Sequence, residues 1–309
     1  MSALSRENPS KRVLLTWVTA ISPAIWGTTY IVASEILPQD RPLTAAVIRC
    51  LPAGLLLVLF SRYLPERTQW SRLIVLSALN IAGFQSLLFV AAYRLPGGVA
   101  AVIGAIQPLL VMAVAWAVLG QRPVRLSALA GAASIVGMGL LLLPNAVGLS
   151  AGMTWDKTGL VAAFAGAVCM AVGTYLSKTW SASAEPNTRP IPLTAFTGWQ
   201  LTLGGLMLLP LAGWMEPALP SLTAVQMFGY AYLTLIGTLL TYVLWFNGIR
   251  RLSPVAVSAL GLLSPLTAFL LGWFILGQQI QGISLAGLVL VVASVLVVQW
   301  AQARQEQLS

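Results

Sequence analysis

The chain has 309 residues, of which 58% are hydrophobic and only 8% are charged. A soluble domain carries about 25% charged residues because its surface must meet water, so this composition excludes a soluble protein. The net charge of +9 does not indicate nucleic-acid binding, since the basic residues stand singly or in pairs between apolar runs. We therefore expect the surface to contact a lipid bilayer, with no nucleic acid as a partner.

Ten apolar runs of helical length follow one another along the chain. A helix needs about 20 apolar residues to cross a bilayer, and these runs alternate too little for barrel strands. The fourth run begins after the predicted Pro96-Gly97-Gly98 turn and ends near Leu119. The other nine lie at 13–37, 43–63, 73–93, 126–143, 159–179, 193–213, 224–249, 255–276 and 283–301. The predicted fold is an all-α membrane protein with ten transmembrane helices.

Two stretches, 94–121 and 251–278, match each other without gaps. The matches are Arg94-Leu95 with Arg251-Leu252, Gly104 with Gly261, Pro108-Leu109 with Pro265-Leu266, Trp116 with Trp273, and Leu119-Gly120-Gln121 with Leu276-Gly277-Gln278. Elsewhere Pro42-Leu43-Thr44-Ala45 recurs as Pro192-Leu193-Thr194-Ala195, and Gly27-Thr28 resembles Gly173-Thr174. The chain is therefore predicted to consist of two related halves of five spans each.

An odd number of spans makes the second half enter the membrane from the opposite side, so we predict an inverted repeat. The boundaries are a cytoplasmic tail at 1–12, a first repeat at 13–144, a linker at 145–158, a second repeat at 159–301 and a cytoplasmic tail at 302–309.

The placement of basic residues predicts the orientation. With the N-terminus in the cytoplasm, the outer turns hold only Arg41, Arg94 and Lys157. The inner segments hold Arg6, Lys11, Arg12, Arg62, Arg67, Arg72, Arg122, Arg125, Lys178, Arg189, Arg250, Arg251 and Arg304. Because cytoplasmic loops carry the excess of Lys and Arg, we predict an inner-membrane protein with both termini in the cytoplasm.

Several motifs resemble those of the EamA family in the drug/metabolite transporter superfamily. They are Trp26-Gly27-Thr28-Thr29-Tyr30, Asn80, the helices of Pro108 and Pro265 with their Leu-Gly endings, and Asn247-Gly248 before Arg250-Arg251-Leu252-Ser253. The resemblance covers nearly the whole chain and implies ten helices in two repeats that export a metabolite, a pigment or an amino acid. The family often has Glu after each Leu-Gly, whereas Gln121 and Gln278 stand there in this chain. The resemblance therefore does not imply, for this chain, proton coupling through carboxylates at these two positions.

Polar and aromatic side chains within the spans are the candidates for substrate binding. They are Trp26, Tyr30, Asn80, Gln85, Gln107, Tyr175, Trp199, Gln200, Tyr242 and Ser264. The repeat register superposes Gln85 on Tyr242 and Gln107 on Ser264. Each polar residue alone also fits an interhelical hydrogen bond, and the aromatic rings also fit anchors at the headgroup level.

Arg49 lies about seven residues inside the second span, about 10 Å deep at the helical rise of about 1.5 Å per residue. One interpretation is an anchor for a substrate carboxylate, and the other is an arginine that extends to the outer headgroups, paired with Glu35 or Asp40.

Pro108 and Pro265 each remove a backbone hydrogen bond in mid-helix. With Gly104 and Gly261 one turn earlier, they are interpreted as gates that bend, or alternatively as static kinks.

The function predicted is that of a secondary transporter, an exporter of an amino acid or a related amphipathic compound by alternating access between the repeats. The alternatives are a facilitative channel-like permease, a membrane scaffold, or a membrane-embedded enzyme. An enzyme is disfavoured because the chain has no histidine, no pair of buried acids and no serine with a partner base. No metal or cofactor is expected. The partners are a small-molecule substrate and the bilayer, and a monomer is compatible with the sequence, which leaves oligomeric state, substrate identity and energy coupling open.

Overall fold

The computed structural model describes residues 9–38, 40–94, 103–120, 123–148, 156–182, 189–276 and 282–308. Within these residues the chain is helical and contains no strand. Seven described helical stretches are long and apolar enough to cross a bilayer, when helices that follow each other directly are counted as one stretch. Two shorter apolar stretches cover Gln107–Val118 and Arg125–Leu141. The predicted Pro96-Gly97-Gly98 turn, Gln121, Gln278 and linker residues 149–155 lie outside the described part. The prediction of an all-α, multi-pass membrane protein is confirmed for the residues described.

The helices follow the apolar runs of the sequence. They are α1 (Pro9–Ile31), α2 (Pro42–Ser61), α3 (Arg67–Ser77), α4 (Phe84–Arg94), α5 (Gln107–Leu119), α6 (Arg125–Gly148), α7 (Lys157–Ala182), α8 (Leu193–Met215), α9 (Ala224–Thr234), α10 (Thr241–Arg251), α11 (Pro254–Leu260), α12 (Leu263–Leu276) and α13 (Gly282–Leu308). A π-helical segment, Ala78–Gly83, joins α3 to α4, and a second, Leu235–Leu240, joins α9 to α10. A third, Val32–Ile36, extends α1.

Helices of the two halves pack against each other along most of their length. Helix α2 lies along α8, and α6 lies along α13. Helix α1 packs on α10 and α12, whereas α7 packs on α4 and α5. The largest apolar core fills the space between them, with Leu76, Leu201, Tyr242, Phe246 and Leu266 among its buried members.

Glycines allow close approach of the helix backbones in the two most extensive helix pairs, α6 with α13 and α2 with α8. A Cβ atom on Gly287 would stand 2.5 Å from the carbonyl oxygen of Gly137, so α13 touches α6 backbone to backbone. In the other pair, a Cβ atom on Gly54 would stand 2.6 Å from Oγ1 of Thr202. Lipid is as apolar as leucine, so helices in a membrane associate through such close packing rather than through a hydrophobic force.

We expect Gly287→Ala to destabilise the protein, because its methyl group has no room against Gly137. Overpacking of this kind costs about 1–3 kcal/mol, and the midpoint of thermal unfolding in detergent should fall by several degrees. The control is Gly213→Ala in α8, since a Cβ atom there meets nothing within 4 Å. That control should leave the midpoint unchanged or raise it, and equal midpoints for both variants would contradict the packing described.

Candidate functional site: a buried arginine and an aromatic cluster

Arg49 is buried inside the protein, with a relative exposure of 6%. Its Nε atom donates a hydrogen bond to Oγ1 of Thr238 at 3.0 Å, and Nη2 donates to the carbonyl oxygen of Gly237 at 3.3 Å. Both acceptors belong to the π-helical segment Leu235–Leu240 and carry no formal charge. No carboxylate of the described residues forms an ion pair with Arg49, so the predicted pairing with Glu35 or Asp40 is not found.

The carbonyl oxygen of Gly237 accepts hydrogen bonds from three side chains. Besides Arg49, it accepts hydrogen bonds from Nε1 of Trp26 at 3.1 Å and from Oγ1 of Thr241 at 2.9 Å. A π-helical turn shifts the backbone bonding from i−4 towards i−5, which interrupts the regular ladder and is common at functional sites. The segment therefore gives α1 and α2 polar anchor points inside an otherwise apolar bundle.

Trp26 of α1 lies in an aromatic cluster with α10. Its ring centroid is 5.1 Å from that of Tyr242 and 5.1 Å from that of Trp245, and both contacts are tilted. Nε2 of Gln85 donates to the hydroxyl oxygen of Tyr242 at 3.2 Å. The two residues that the predicted repeat register superposes are thus in direct contact, and both are buried.

Asn80 belongs to a second polar group, in the π-helical segment Ala78–Gly83. Its Nδ2 atom donates to Oγ of Ser177 at 3.1 Å and to Oε1 of Gln200 at 3.0 Å. Oδ1 of Asn80 and the hydroxyl of Tyr175 are buried and have no hydrogen-bond partner among the described residues. Such atoms are rare in folded proteins and call for an explanation, such as bound water or a ligand.

The remaining predicted residues are distributed around these groups. Gln107 is the first residue of α5, and its Oε1 atom points towards Gly261. Ser264 lies where α12 meets α1, because its carbonyl oxygen would stand 2.6 Å from a Cβ atom on Gly27. The backbone of Tyr30 lies in α1, but its side chain is outside what the structure describes.

Trp199 stands apart from the aromatic cluster of Trp26. Its Nε1 atom donates to the carbonyl oxygen of Tyr63 at 3.0 Å, and its ring meets the edge of Trp70 at a centroid distance of 4.8 Å. Trp199 therefore joins α8 to the loop between α2 and α3. This placement matches the alternative interpretation of the aromatic rings, an anchor near the end of a span.

The proline-containing helices are interrupted, but not by proline in mid-helix. Helix α11 ends at Leu260, a turn covers Gly261 and Leu262, and α12 then begins at Leu263. The same interruption precedes α5, where Ala105 and Ile106 form a turn directly after Gly104. Pro108 and Pro265 thus lie in the first turn of the helix that follows, where an N–H group has no intrahelical acceptor and proline is tolerated. The expectation that each proline removes a mid-helix hydrogen bond was wrong.

Three groups at the site are not marked in the sequence. Thr238 and Ser177 are small hydroxyl residues in apolar runs, a pattern that is common without functional meaning. The Gly237 acceptor is a backbone carbonyl, so no side chain marks it. The available signals were Arg49 and Asn80, because a buried guanidinium or amide requires hydrogen-bond partners within reach.

Comparison with known proteins identifies the family. The model of the EamA-like transporter family matches residues 14–143 and 157–300. The chain belongs to this family. It is 43% identical over 281 residues to the protein PecM of Dickeya dadantii strain 3937, and the match covers 90% of each chain. It is also 27% identical to the uncharacterized inner membrane transporter YicL of Salmonella typhimurium, over 90% of this chain and 92% of YicL.

A further relative is also named a transporter, and a solved structure has the same fold. The chain is 26% identical to the uncharacterized inner membrane transporter YedA of Escherichia coli K12, over 89% of this chain and 87% of YedA. A protein crystal structure with 19% identity superposes with a TM-score of 0.72, over 92% of this chain and 97% of that one. The superposition shows a shared fold. By sequence the chain is thus an EamA-like membrane transporter, and its apolar helices fit a multi-pass membrane protein.

The Gln85–Tyr242 contact predicts a coupled loss of stability. Tyr242→Phe leaves a buried amide N–H of Gln85 without an acceptor, which costs about 1–3 kcal/mol. The double variant Tyr242→Phe/Gln85→Leu should lose less unfolding free energy than the two single variants lose together. Denaturant titration of all four proteins measures this difference. Tyr175→Phe is the matched control, since its hydroxyl has no hydrogen-bond partner among the described residues. A cost as large for Tyr175→Phe as for Tyr242→Phe would contradict a stabilising hydrogen bond between Gln85 and Tyr242.

Proposed function

We propose that this transporter exports a small metabolite that carries a carboxylate, an amino acid or a related amphipathic compound, across the inner membrane. Arg49 is the observation that carries the proposal. Two of its five N–H groups bond to neutral acceptors, and the other three have no acceptor among the described residues. A buried guanidinium with unused donors is costly unless an anion completes its surroundings.

The surroundings of Arg49 favour an amphipathic substrate. The carbonyl of Gly237 links Arg49 to Trp26, and the Trp26 ring packs on Tyr242 and Trp245. A carboxylate bound to the guanidinium would therefore have its apolar portion near aromatic faces, which bind flat or apolar groups. In this proposal Trp26, Gln85, Tyr242 and Arg49 form one side of the substrate site. Asn80, Gln200 and Tyr175 form the other, with Tyr30, Gln107 and Ser264 as further candidates.

We infer ten transmembrane helices in two inverted repeats, at 13–144 and 159–301, and several observations support this inference. The family model matches two ranges, 14–143 and 157–300. The first helix of each half packs on the third and fourth spans of the other half. The register that superposes Arg94 on Arg251 also superposes the segments Ala78–Gly83 and Leu235–Leu240, which are both π-helical.

Local contacts add support for the repeat. The capping box of Glu66 and Gln69 at the start of α3 matches that of Thr223 and Gln226 at the start of α9 in the same register. Residues that are equivalent in two copies can touch each other only near the axis that relates the copies. Gln85 and Tyr242 meet this condition, so we place the axis, and the substrate site, at their hydrogen bond.

Transport in this proposal proceeds by alternating access. The two repeats rock about the central site, and the interruptions at Gly104 and Gly261 let the ends of α5 and α12 bend as gates beside Pro108 and Pro265. Both termini lie in the cytoplasm, which agrees with the excess of basic residues on that side. Exchange and facilitated diffusion require no buried acid and are compatible with this arrangement.

Counterflow into proteoliposomes tests the substrate class. Vesicles loaded with an unlabelled L-amino acid should accumulate the labelled compound saturably, for at least one member of a panel of L-amino acids. The corresponding carboxamide should compete about 10-fold to 100-fold more weakly, since a hydrogen bond to a charged group contributes about 1.5–3 kcal/mol. Arg49→Gln should remove this discrimination.

The control for that measurement is Arg125→Gln, an exposed arginine at the start of α6 whose loss should not change counterflow. Arg49→Lys should retain part of the activity, because it keeps the charge but not the planar fork of donors. Unchanged discrimination in Arg49→Gln would contradict the assignment of Arg49. Flux that neither saturates nor responds to internal substrate would instead indicate a channel.

Pro265→Ala tests the gate. Alanine restores a backbone N–H and permits a continuous helix through Gly261 and Leu262, so bending should become less favourable. The maximal rate of counterflow should fall about threefold to fivefold, the rate equivalent of about 1 kcal/mol, while the half-saturating concentration stays constant. Pro210→Ala in the interior of α8 is the control and should leave the rate unchanged. A loss of protein yield with an unaltered rate would identify Pro265 as purely structural.

A further inference from the structure

A groove of about 370 Å³ opens between the first turns of α1 and the last turn of α10. Its lining consists of Lys11, Leu14, Leu15, Val18, Asn247 and Arg251. The groove lies beside a close contact of the two helices, where a Cβ atom on Gly248 would stand 2.6 Å from Oγ1 of Thr19. With α1 and α10 crossing the bilayer as predicted, the helix ends that form the groove lie at the headgroup level.

The lining combines two cations with an apolar wall. Lys11 and Arg251 are exposed, one on each helix, and no carboxylate is among the described residues that line the groove. Leu14 is 64% exposed, and Trp17 (67%) and Ile21 (45%) continue the same face of α1 towards the middle of the membrane. A ligand that matches this surface has a negatively charged head and an apolar tail that extends along α1.

We propose that the groove binds an anionic phospholipid, with the phosphate between Lys11 and Arg251 and an acyl chain along Leu14, Trp17 and Ile21. Asn247 supplies an uncharged amide donor beside the phosphate. A free phosphate would leave the apolar wall without a partner, and an apolar ligand would leave two cations beside it. The charge and the apolar strip together therefore select a lipid with an anionic headgroup.

A second groove on the surface provides a comparison. It measures about 540 Å³ and is lined by Leu56, Leu59, Phe60 and Arg62, so it has a similar apolar wall but a single cation. Any fluid lipid can cover such a wall. Selection by headgroup charge should therefore be confined to the groove with two cations.

Native mass spectrometry of the purified protein tests the proposal, with phosphatidylglycerol and phosphatidylcholine of identical acyl chains as probes. Phosphatidylglycerol should bind at least about tenfold more tightly, because each basic residue near an anionic surface contributes about fivefold. The double variant Lys11→Gln/Arg251→Gln should lower its affinity to that of phosphatidylcholine. Both side chains are exposed, so the variant should fold, and its elution from a sizing column verifies this.

The charge-matched control is Arg62→Gln/Arg125→Gln, which removes two exposed arginines outside the groove. It should retain the preference for phosphatidylglycerol, as should Lys11→Arg/Arg251→Lys, which keeps both charges. Equal binding of the two lipids by the unaltered protein would overturn the proposal. An equal loss of the phosphatidylglycerol preference in the control Arg62→Gln/Arg125→Gln would also overturn it, because it would indicate diffuse attraction to the whole basic face. Complete displacement of phosphatidylglycerol by millimolar inorganic phosphate would likewise overturn the lipid assignment.

Discussion

Close contact between helix backbones is the interaction on which the rest of this structure depends. A bilayer interior is as apolar as the side chains that face it, so burying leucine between helices provides little driving force. Gly137 and Gly287 bring α6 and α13 together, and Gly54 brings α2 against α8. These pairs fix the frame within which α1, α7 and the interrupted helices pack. In the rocking motion that we propose, the pairs α2–α8 and α6–α13 must therefore keep these contacts or exchange them as whole helices.

The same apolar surroundings explain why the central site is built around π-helical segments. Water does not reach a buried cation easily, so the protein must supply its acceptors. In a regular helix each mid-span carbonyl already accepts a backbone N–H, whereas in the segment Leu235–Leu240 the carbonyl of Gly237 accepts from three side-chain donors. Arg49 is thereby held without neutralisation. We propose that a substrate carboxylate supplies the missing charge, which links the local helix geometry to substrate choice.

The sequence predicted the helical class and the position of most spans, because long apolar runs leave few alternatives in a membrane. It also superposed Gln85 on Tyr242, and the two residues touch. It did not reveal the π-helical segments, since a single extra residue in a turn has no compositional signature. The prolines were placed in mid-helix because the breaks at Gly261 and before α5 depend on tertiary packing. The sequence could not show that Trp26 joins the aromatic cluster whereas Trp199 lies near the end of a span. Hydropathy does not distinguish the two positions.

The proposal that the repeats enter the membrane from opposite sides is tested most directly by chemical labelling from one side. Leu64 and Ala218 are exposed residues in corresponding loops, between α2 and α3 and between α8 and α9. Each is replaced by cysteine in a variant in which Cys50 and Cys169 are alanine, and intact cells are treated with an impermeant maleimide. Inverted repeats predict that Ala218→Cys reacts at once and that Leu64→Cys reacts only after the membrane is opened. Reaction of both cysteines from the same side would contradict the inverted arrangement and the transport cycle built on it.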